Sequence, residues 1–169
     1  RVRMWQQFMS RGPVPLSPEA ELGLMGELAF MVTLINSGVC AGEVLRCWVG
    51  PDDALQDFLL GDGAVEVKAT MSSSGFPVKI SSLEQLDDSV ASPLFLAAVR
   101  FASEDGGLTL PEMVAEAEQL LREVPGAINF LKDRLMVAGY SEIHSSQYTR
   151  RFEPKETRMC TTCGCGTDQ

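Results

Sequence analysis

Two carboxylates and one ammonium lie close together in the segment DFLLGDGAVEVK. Glu66 and Lys68 are two residues apart, and side chains at this spacing on a β-strand point to the same face. The pair Asp62-Gly63 is typical of a hairpin turn, which would bring Asp57 back to the same side. Carboxylate oxygens suit a divalent cation, and a lysine can orient or deprotonate an attacking water and offset developing charge. These residue types therefore indicate metal-assisted hydrolysis of a phosphodiester.

The same pattern also fits a hairpin whose charged face lies in water, and by pattern alone this is the commoner case. A central position of the strand would argue against a solvated face, because burying charged side chains is costly unless they are paired or bind a cation. The apolar run PLFLAAVRFA and the helices around it indicate that the Glu66 strand is central.

A first helix is predicted from the cap Ser17 and the first-turn Pro18 to about Asn36. Its apolar face consists of residues at helical spacing, namely Leu24, Leu28, Met31 and Ile35. Glu27 lies at the edge of this face, so it could reach over a sheet or lie in solvent. Glu21 is better explained as a first-turn acid that the helix dipole favours.

The remaining pattern predicts a mixed sheet and further helices. A third strand is expected near residues 44–49, a short strand at PVKIS, a helix that begins with the capping box Ser82-Leu83-Glu84-Gln85, and a buried strand from Pro93 to Ala102. Helices follow from about Pro111 to Val124 and Gly126 to Val137, with a strand near Gln147 to Phe152 and a polar, irregular tail from Glu156.

The chain has 169 residues, 14 Lys+Arg against 23 Asp+Glu, and a net charge of −9. This length fits one domain, and the acidic balance argues against a general nucleic-acid coat but not against an enzyme that holds a cation. The absence of a membrane-length apolar run and of a secretory signal favours a soluble, cytoplasmic protein. Because residue 1 is Arg, the chain is expected to be processed or a fragment.

Five cysteines are present, and their odd number favours reduced thiols. Cys40 and Cys47 have apolar neighbours and are expected to pack rather than react. Cys160, Cys163 and Cys165 could bind zinc, but the single histidine, His144, is far upstream. A reduced, irregular tail is therefore the preferred interpretation.

Five blocks of the sequence, taken in order, resemble the PD-(D/E)XK, or restriction-endonuclease-like, nuclease superfamily. They are GLMGELAFM, WVGP, QDFLLGDGAVEVKAT, KISSLEQLD and PLFLAAV. They are most similar to a bacterial family called PD-(D/E)XK motif proteins, which is associated with restriction-modification and phage defence. The resemblance implies an α/β fold with an αβββαβ core, a mixed central sheet flanked by helices. It spans roughly residues 22–100.

The resemblance also implies roles for individual residues. Asp57 and Glu66 match metal ligands, and the Val67 carbonyl matches a third ligand. Lys68 matches the catalytic lysine. Glu27 matches an acid that binds a further metal or a metal-bound water. Gln85 matches a polar residue beside the active site, where Ser82 could assist.

The expected function is Mg²⁺-dependent cleavage of DNA, with Mn²⁺ as a substitute, in a bacterial restriction or defence system whose other subunits could deliver the substrate. The alternative is a catalytically inactive nuclease-fold module that acts as a structural or interaction subunit. The predicted division is a flexible lead-in over 1–16, a nuclease-like domain over 17–155 and a Cys-containing tail over 156–169.

One basic cluster, around Arg150 and Arg151, could contact a nucleic-acid backbone. A solvated surface patch is the more common explanation of such a cluster. Trp5 and Trp48 are expected to be packing residues rather than base-stacking ones.

Overall fold

The computed structural model describes residues 14–52, 54–73 and 93–161. The described residues form, in chain order, helix α1 (Pro18–Asn36), helix α2 (Ala41–Cys47), a 3₁₀ turn (Gly50–Asp52), strands β1 (Phe58–Leu60), β2 (Gly63–Thr70) and β3 (Leu94–Ala102), helices α3 (Leu110–Leu121) and α4 (Ala127–Val137), a 3₁₀ helix (Glu142–Gln147) and strand β4 (Glu153–Thr161).

The four strands form one sheet in the order β1-β2-β3-β4. Strand β2 pairs antiparallel with β1, with Leu60 opposite Gly63, and parallel with β3, with Glu66 opposite Leu96. Strand β4 pairs antiparallel with β3. A mixed sheet flanked by helices confirms the predicted α/β class and is consistent with a restriction-endonuclease-like fold. The helix expected between β2 and β3 lies outside the described residues, as does the short strand at PVKIS.

Helix α1 begins and ends where the sequence predicts. The Ser17 hydroxyl accepts a hydrogen bond from the Ala20 backbone N–H, and Pro18 occupies the first turn. The helix lies very close to β2 at Gly26, where an added Cβ would be 2.7 Å from the Ala69 Cβ. This close approach brings Glu27, the next residue of α1, to the sheet.

The prediction of a third strand near residues 44–49 is wrong. Residues 41–47 form helix α2, and strand pairing is reduced to one bridge between Trp48 and Phe58. The physical reason is burial, because Val44, Leu45 and Trp48 are all buried, and their spacing places them on one face of a helical turn.

The C-terminal part also differs from the prediction. The expected strand at Gln147 to Phe152 is replaced by the 3₁₀ helix and an extended link, and β4 begins at Glu153. The segment expected to be irregular from Glu156 instead continues β4 to Thr161, because its backbone pairs with β3. Cys160 lies in this strand, whereas Cys163 and Cys165 lie outside the described residues.

The helices after β3 follow the prediction. Thr109 and Glu112 form a capping box at the start of α3, and the chain turns at Gly126 before α4. No helix in the described part of the chain is both long enough and apolar enough to cross a membrane.

Candidate active site

The hairpin brings Asp57 to the edge of β2. Asp57 immediately precedes β1, and its backbone N–H donates to the Val65 carbonyl at 3.1 Å. Its side-chain Oδ2 accepts a hydrogen bond from the Val67 backbone N–H at 2.7 Å. The carboxylate is therefore fixed against the backbone of the strand that carries Glu66 and Lys68.

Glu66 and Lys68 form a close ion pair on one face of β2. Lys68 Nζ lies 2.6 Å from Glu66 Oε1, and the Glu66 residue is only 3% exposed. The other oxygen, Oε2, is buried and has no hydrogen-bond partner within the described residues. A buried carboxylate oxygen in this state is costly, so a partner such as a cation would stabilise it.

Glu27 reaches the same cluster from α1. Its Oε2 accepts a hydrogen bond of 2.6 Å from the indole Nε1 of Trp48. A Cβ placed on Gly50 would lie 3.0 Å from this oxygen and 2.8 Å from Asp57 Oδ1. Both acids therefore place an oxygen close to Gly50, where any side chain on residue 50 would collide with them.

Burial and mutual repulsion raise the pKa values of these acids. Burial, then the charge of Asp57, raises the pKa of Glu27 to about 8, against the lowering effect of the Trp48 hydrogen bond. The same two causes raise the pKa of Glu66 to about 7, although Lys68 opposes them. Burial also raises the pKa of Asp57, opposed by the Val67 N–H and by Lys68.

The Val67 carbonyl points toward this cluster. The N–H and C=O of one strand residue point to the same edge of the strand, and the Val67 N–H points to Asp57. Its carbonyl therefore lies on the Asp57 side of β2 rather than on the β3 side. This is the direction that a third oxygen ligand would need.

In residues 14–52, 54–73 and 93–161, no three His, Cys, Asp or Glu side chains are close enough as they stand to hold a metal ion. Two carboxylates and a backbone carbonyl are nevertheless a suitable donor set for Mg²⁺, which keeps several waters. The unpaired Glu66 Oε2 and the raised pKa values of the three acids both fit a bound positive charge. The residues present therefore fit the Mg²⁺ that the sequence predicts.

The other candidate residues lie elsewhere. Gln85 and Ser82 fall outside the described residues. Arg150 Nη1 donates to the Pro18 carbonyl at 2.9 Å and lies 3.4 Å from Glu21 Oε2. Arg151 donates to the Gly107 carbonyl at 2.7 Å and pairs with Glu112 at 3.3 Å. Both arginines thus contact protein groups near the start of a helix.

Sequence reasoning overlooked two residues at the site. Trp48 was expected only to pack, and Gly50 had no assigned role, although both belong to the WVGP block. The contact between Trp48 and Glu27 joins residues 21 positions apart, so no local pattern indicates it. A glycine beside a proline, as in Gly50-Pro51, is typical of a turn, so nothing in the sequence indicates a role for Gly50 at the site.

Comparison with known proteins identifies the family but no individual relative. No curated protein and no solved structure matches the chain. The model of the family described as "Putative PD-(D/E)XK family member, (DUF4420)" matches residues 1–162. With nearly its whole length matched and with Asp57, Glu66 and Lys68 brought together, the chain belongs to this PD-(D/E)XK family.

Proposed function

We propose that the protein hydrolyses phosphodiester bonds of DNA with the help of Mg²⁺. The observation that carries the proposal is the convergence of Asp57, Glu66 and Glu27 with Lys68 around strand β2. Membership of a PD-(D/E)XK family supports a nuclease. DNA, rather than RNA, is the substrate expected from the resemblance.

In this proposal Asp57, Glu66 and the Val67 carbonyl hold the cation, and Glu27 binds a second cation or a metal-bound water. When bound, Mg²⁺ would polarise the scissile phosphate and offset its developing negative charge. Its positive charge would also favour the ionised forms of the three acids, whose pKa values are otherwise raised.

Lys68 acts on the attacking water and the phosphate. The ion pair with Glu66 Oε1 holds Nζ beside the carboxylates, on the strand face where the substrate phosphate would lie. From this position Nζ can donate hydrogen bonds to the water and to a phosphate oxygen. The strand backbone fixes both side chains, so little reorganisation is needed when substrate binds.

A role in a bacterial restriction or phage-defence system follows from the resemblance. The net charge of −9 would repel free DNA, so we expect a partner subunit to deliver the substrate. Arg150 and Arg151 could assist, but both would first have to leave their contacts with Pro18, Glu21, Gly107 and Glu112.

A second candidate is a catalytically inactive nuclease-fold module that acts as a structural subunit of such a complex. The acidic net charge and the protein contacts of Arg150 and Arg151 favour it, because both features weaken the attraction to DNA. The intact set of Asp57, Glu66 and Lys68 argues against it.

Plasmid nicking in the presence of Mg²⁺ or EDTA tests the proposal. Wild type should nick supercoiled plasmid only with Mg²⁺, and Asp57→Asn and Glu66→Gln should lose the activity. The matched control is Glu104→Gln, which changes an exposed carboxylate paired with Lys155. Nicking that survives both site variants would contradict the proposed site, whereas no nicking by wild type would favour the structural module.

A further inference from the structure

Three consecutive residues after α2 fix the backbone of Asp57. Trp48 is fully buried and bridges to Phe58, the residue that follows Asp57. The backbone N–H groups of Val49 and Gly50 both donate to the Asp57 carbonyl, at 2.8 Å and 3.0 Å. We call residues 48–50 the bracket segment, because they hold the chain on which the first acid is carried.

The same segment holds the second acid through a side chain. The Trp48 indole donates the one hydrogen bond that the Glu27 carboxylate accepts within the described residues. An indole N–H can only donate, so it favours the ionised carboxylate, which can only accept. A buried indole N–H without an acceptor would be costly, and the two side chains therefore hold each other in place.

The third residue of the bracket segment controls the space between the acids. A Cβ on Gly50 would be 2.8 Å from Asp57 Oδ1 and 3.0 Å from Glu27 Oε2, too close for both oxygens to remain where they are. Glycine at this position lets the backbone N–H contact the Asp57 carbonyl while both carboxylate oxygens stay close to residue 50.

We propose that Trp48 is a positioning residue of the cation site: its indole fixes Glu27 against the backbone segment that fixes Asp57. Glu27 and Asp57, which lie in distant parts of the chain, are thereby held against the same backbone segment. The inference rests on the proposed function, because the site it organises is the proposed cation site. If Trp48 served only as core packing, its replacement would act independently of Glu27.

The hydrogen bond is tested first without metal. The sequence contains two tryptophans, Trp5 and Trp48, so wild type should give two indole N–H signals by NMR, and Trp48→Phe should remove one of them. At a pH above 8, where the Glu27 carboxyl is ionised, Glu27→Gln should move the Trp48 signal upfield, because a neutral amide is a weaker acceptor than a carboxylate. Glu21→Gln, a matched change of a buried acid on the same helix, should leave it in place.

A double-mutant cycle with Mn²⁺ then tests the positioning role. Loss of a group that orients a metal ligand weakens metal binding about 10- to 100-fold, and Trp48→Phe should have an effect of this size by calorimetry. In the Glu27→Gln background the same replacement should change the affinity little, since the group it positions is already altered. Phe101→Leu, a buried aromatic change on β3, controls for lost packing.

The outcomes separate the inference from the function on which it rests. Equal loss of Mn²⁺ affinity from Trp48→Phe in both backgrounds, or a loss no greater than that of Phe101→Leu, would overturn the positioning role and leave the cation site intact. An indole signal insensitive to Glu27→Gln would overturn the contact itself. Failure of wild type to bind Mn²⁺, with the indole signal responding as expected, would contradict the proposed function and the positioning role with it.

Discussion

Lys68 is the residue whose proposed role is in hydrolysis and not in cation binding. It contacts Glu66 and supplies no oxygen, so in the proposed mechanism its ammonium assists the water and the phosphate and does not bind the metal. A positioned group that assists proton transfer typically contributes about 10²- to 10⁴-fold to the rate.

Lys68→Met should therefore lower the rate of plasmid nicking by about 10²-fold or more while Mn²⁺ binding persists. The control is Lys155→Met, which removes a lysine paired with Glu104 at 2.8 Å, away from the candidate site. A Lys68→Met variant that nicks as fast as wild type would show that the lysine is not part of the mechanism.

The raised pKa values of Glu27 and Glu66 predict how stability depends on pH. The reference pKa of both carboxyls is 4.5, whereas in the folded chain burial and Asp57 raise the pKa values to about 8 and about 7. Between these values the folded state keeps protons that the unfolded state has lost, so raising the pH favours unfolding.

The metal-free protein should accordingly show a melting temperature that falls as the pH rises from 4.5 to about 8. Glu27→Gln should make this fall shallower, because glutamine does not ionise, and saturating Mg²⁺ should reduce it in wild type. Thermal melts of both proteins across this range provide the measurement, and identical slopes would contradict the raised pKa of Glu27.

Among the elements, the contact between α1 and β2 determines whether Glu27 reaches the site. The helix approaches the strand closely at Gly26, and Phe30 packs edge-on against Phe58 one turn later, with ring centroids 5.2 Å apart. A wider helix-to-sheet distance would withdraw Glu27 from Asp57.

Two glycines of α1 offer a matched pair of substitutions. Gly26→Ala should destabilise the fold by about 1–3 kcal/mol, because its Cβ would meet the Ala69 Cβ at 2.7 Å. Gly23→Ala, with nothing within 4 Å of the added Cβ, should stabilise it by about 0.5–1 kcal/mol. Urea unfolding of the two variants gives the comparison, and equal effects would mean that α1 does not pack as closely as described.

The elements also reveal what the sequence could predict. Helix α1, the hairpin turn at Asp62-Gly63 and strand β3 follow from caps, turn chemistry and hydrophobic pattern, which are local signals. Strand β4 follows from pairing with β3 and carries polar side chains on both faces, so its sequence has no alternating pattern. Helix α2 contains a short apolar run, for which periodicity cannot separate helix from strand.

The candidate site also combines features that local sequence predicts with features that it does not. Asp57, Glu66 and Lys68 lie within one hairpin, so spacing alone could predict that they converge. The hydrogen bond from the Trp48 indole to Glu27 and the close approach of Glu27 to Gly50 depend on contacts between α1 and the segment after α2. Only the tertiary structure provides these contacts.

For the whole molecule, the net charge of −9 opposes DNA binding outside the site. Non-specific affinity comes mainly from lysine and arginine contacts with phosphates, with Kd values of roughly 10⁻⁴–10⁻⁶ M for proteins that have such contacts. In EDTA the chain alone should bind duplex DNA at the weak end of this range or not at all, as measured by fluorescence anisotropy. Tight binding without a cation would contradict the need for a partner subunit.

A cation held by Asp57 and Glu66 is central to the proposed function, and the most direct test is calorimetric titration of Mn²⁺ into the metal-free chain. Wild type should bind with measurable heat, and Asp57→Ala and Glu66→Ala should each abolish the binding, while Glu104→Ala should retain it. Absence of Mn²⁺ binding by wild type, or undiminished binding by both site variants, would contradict the account.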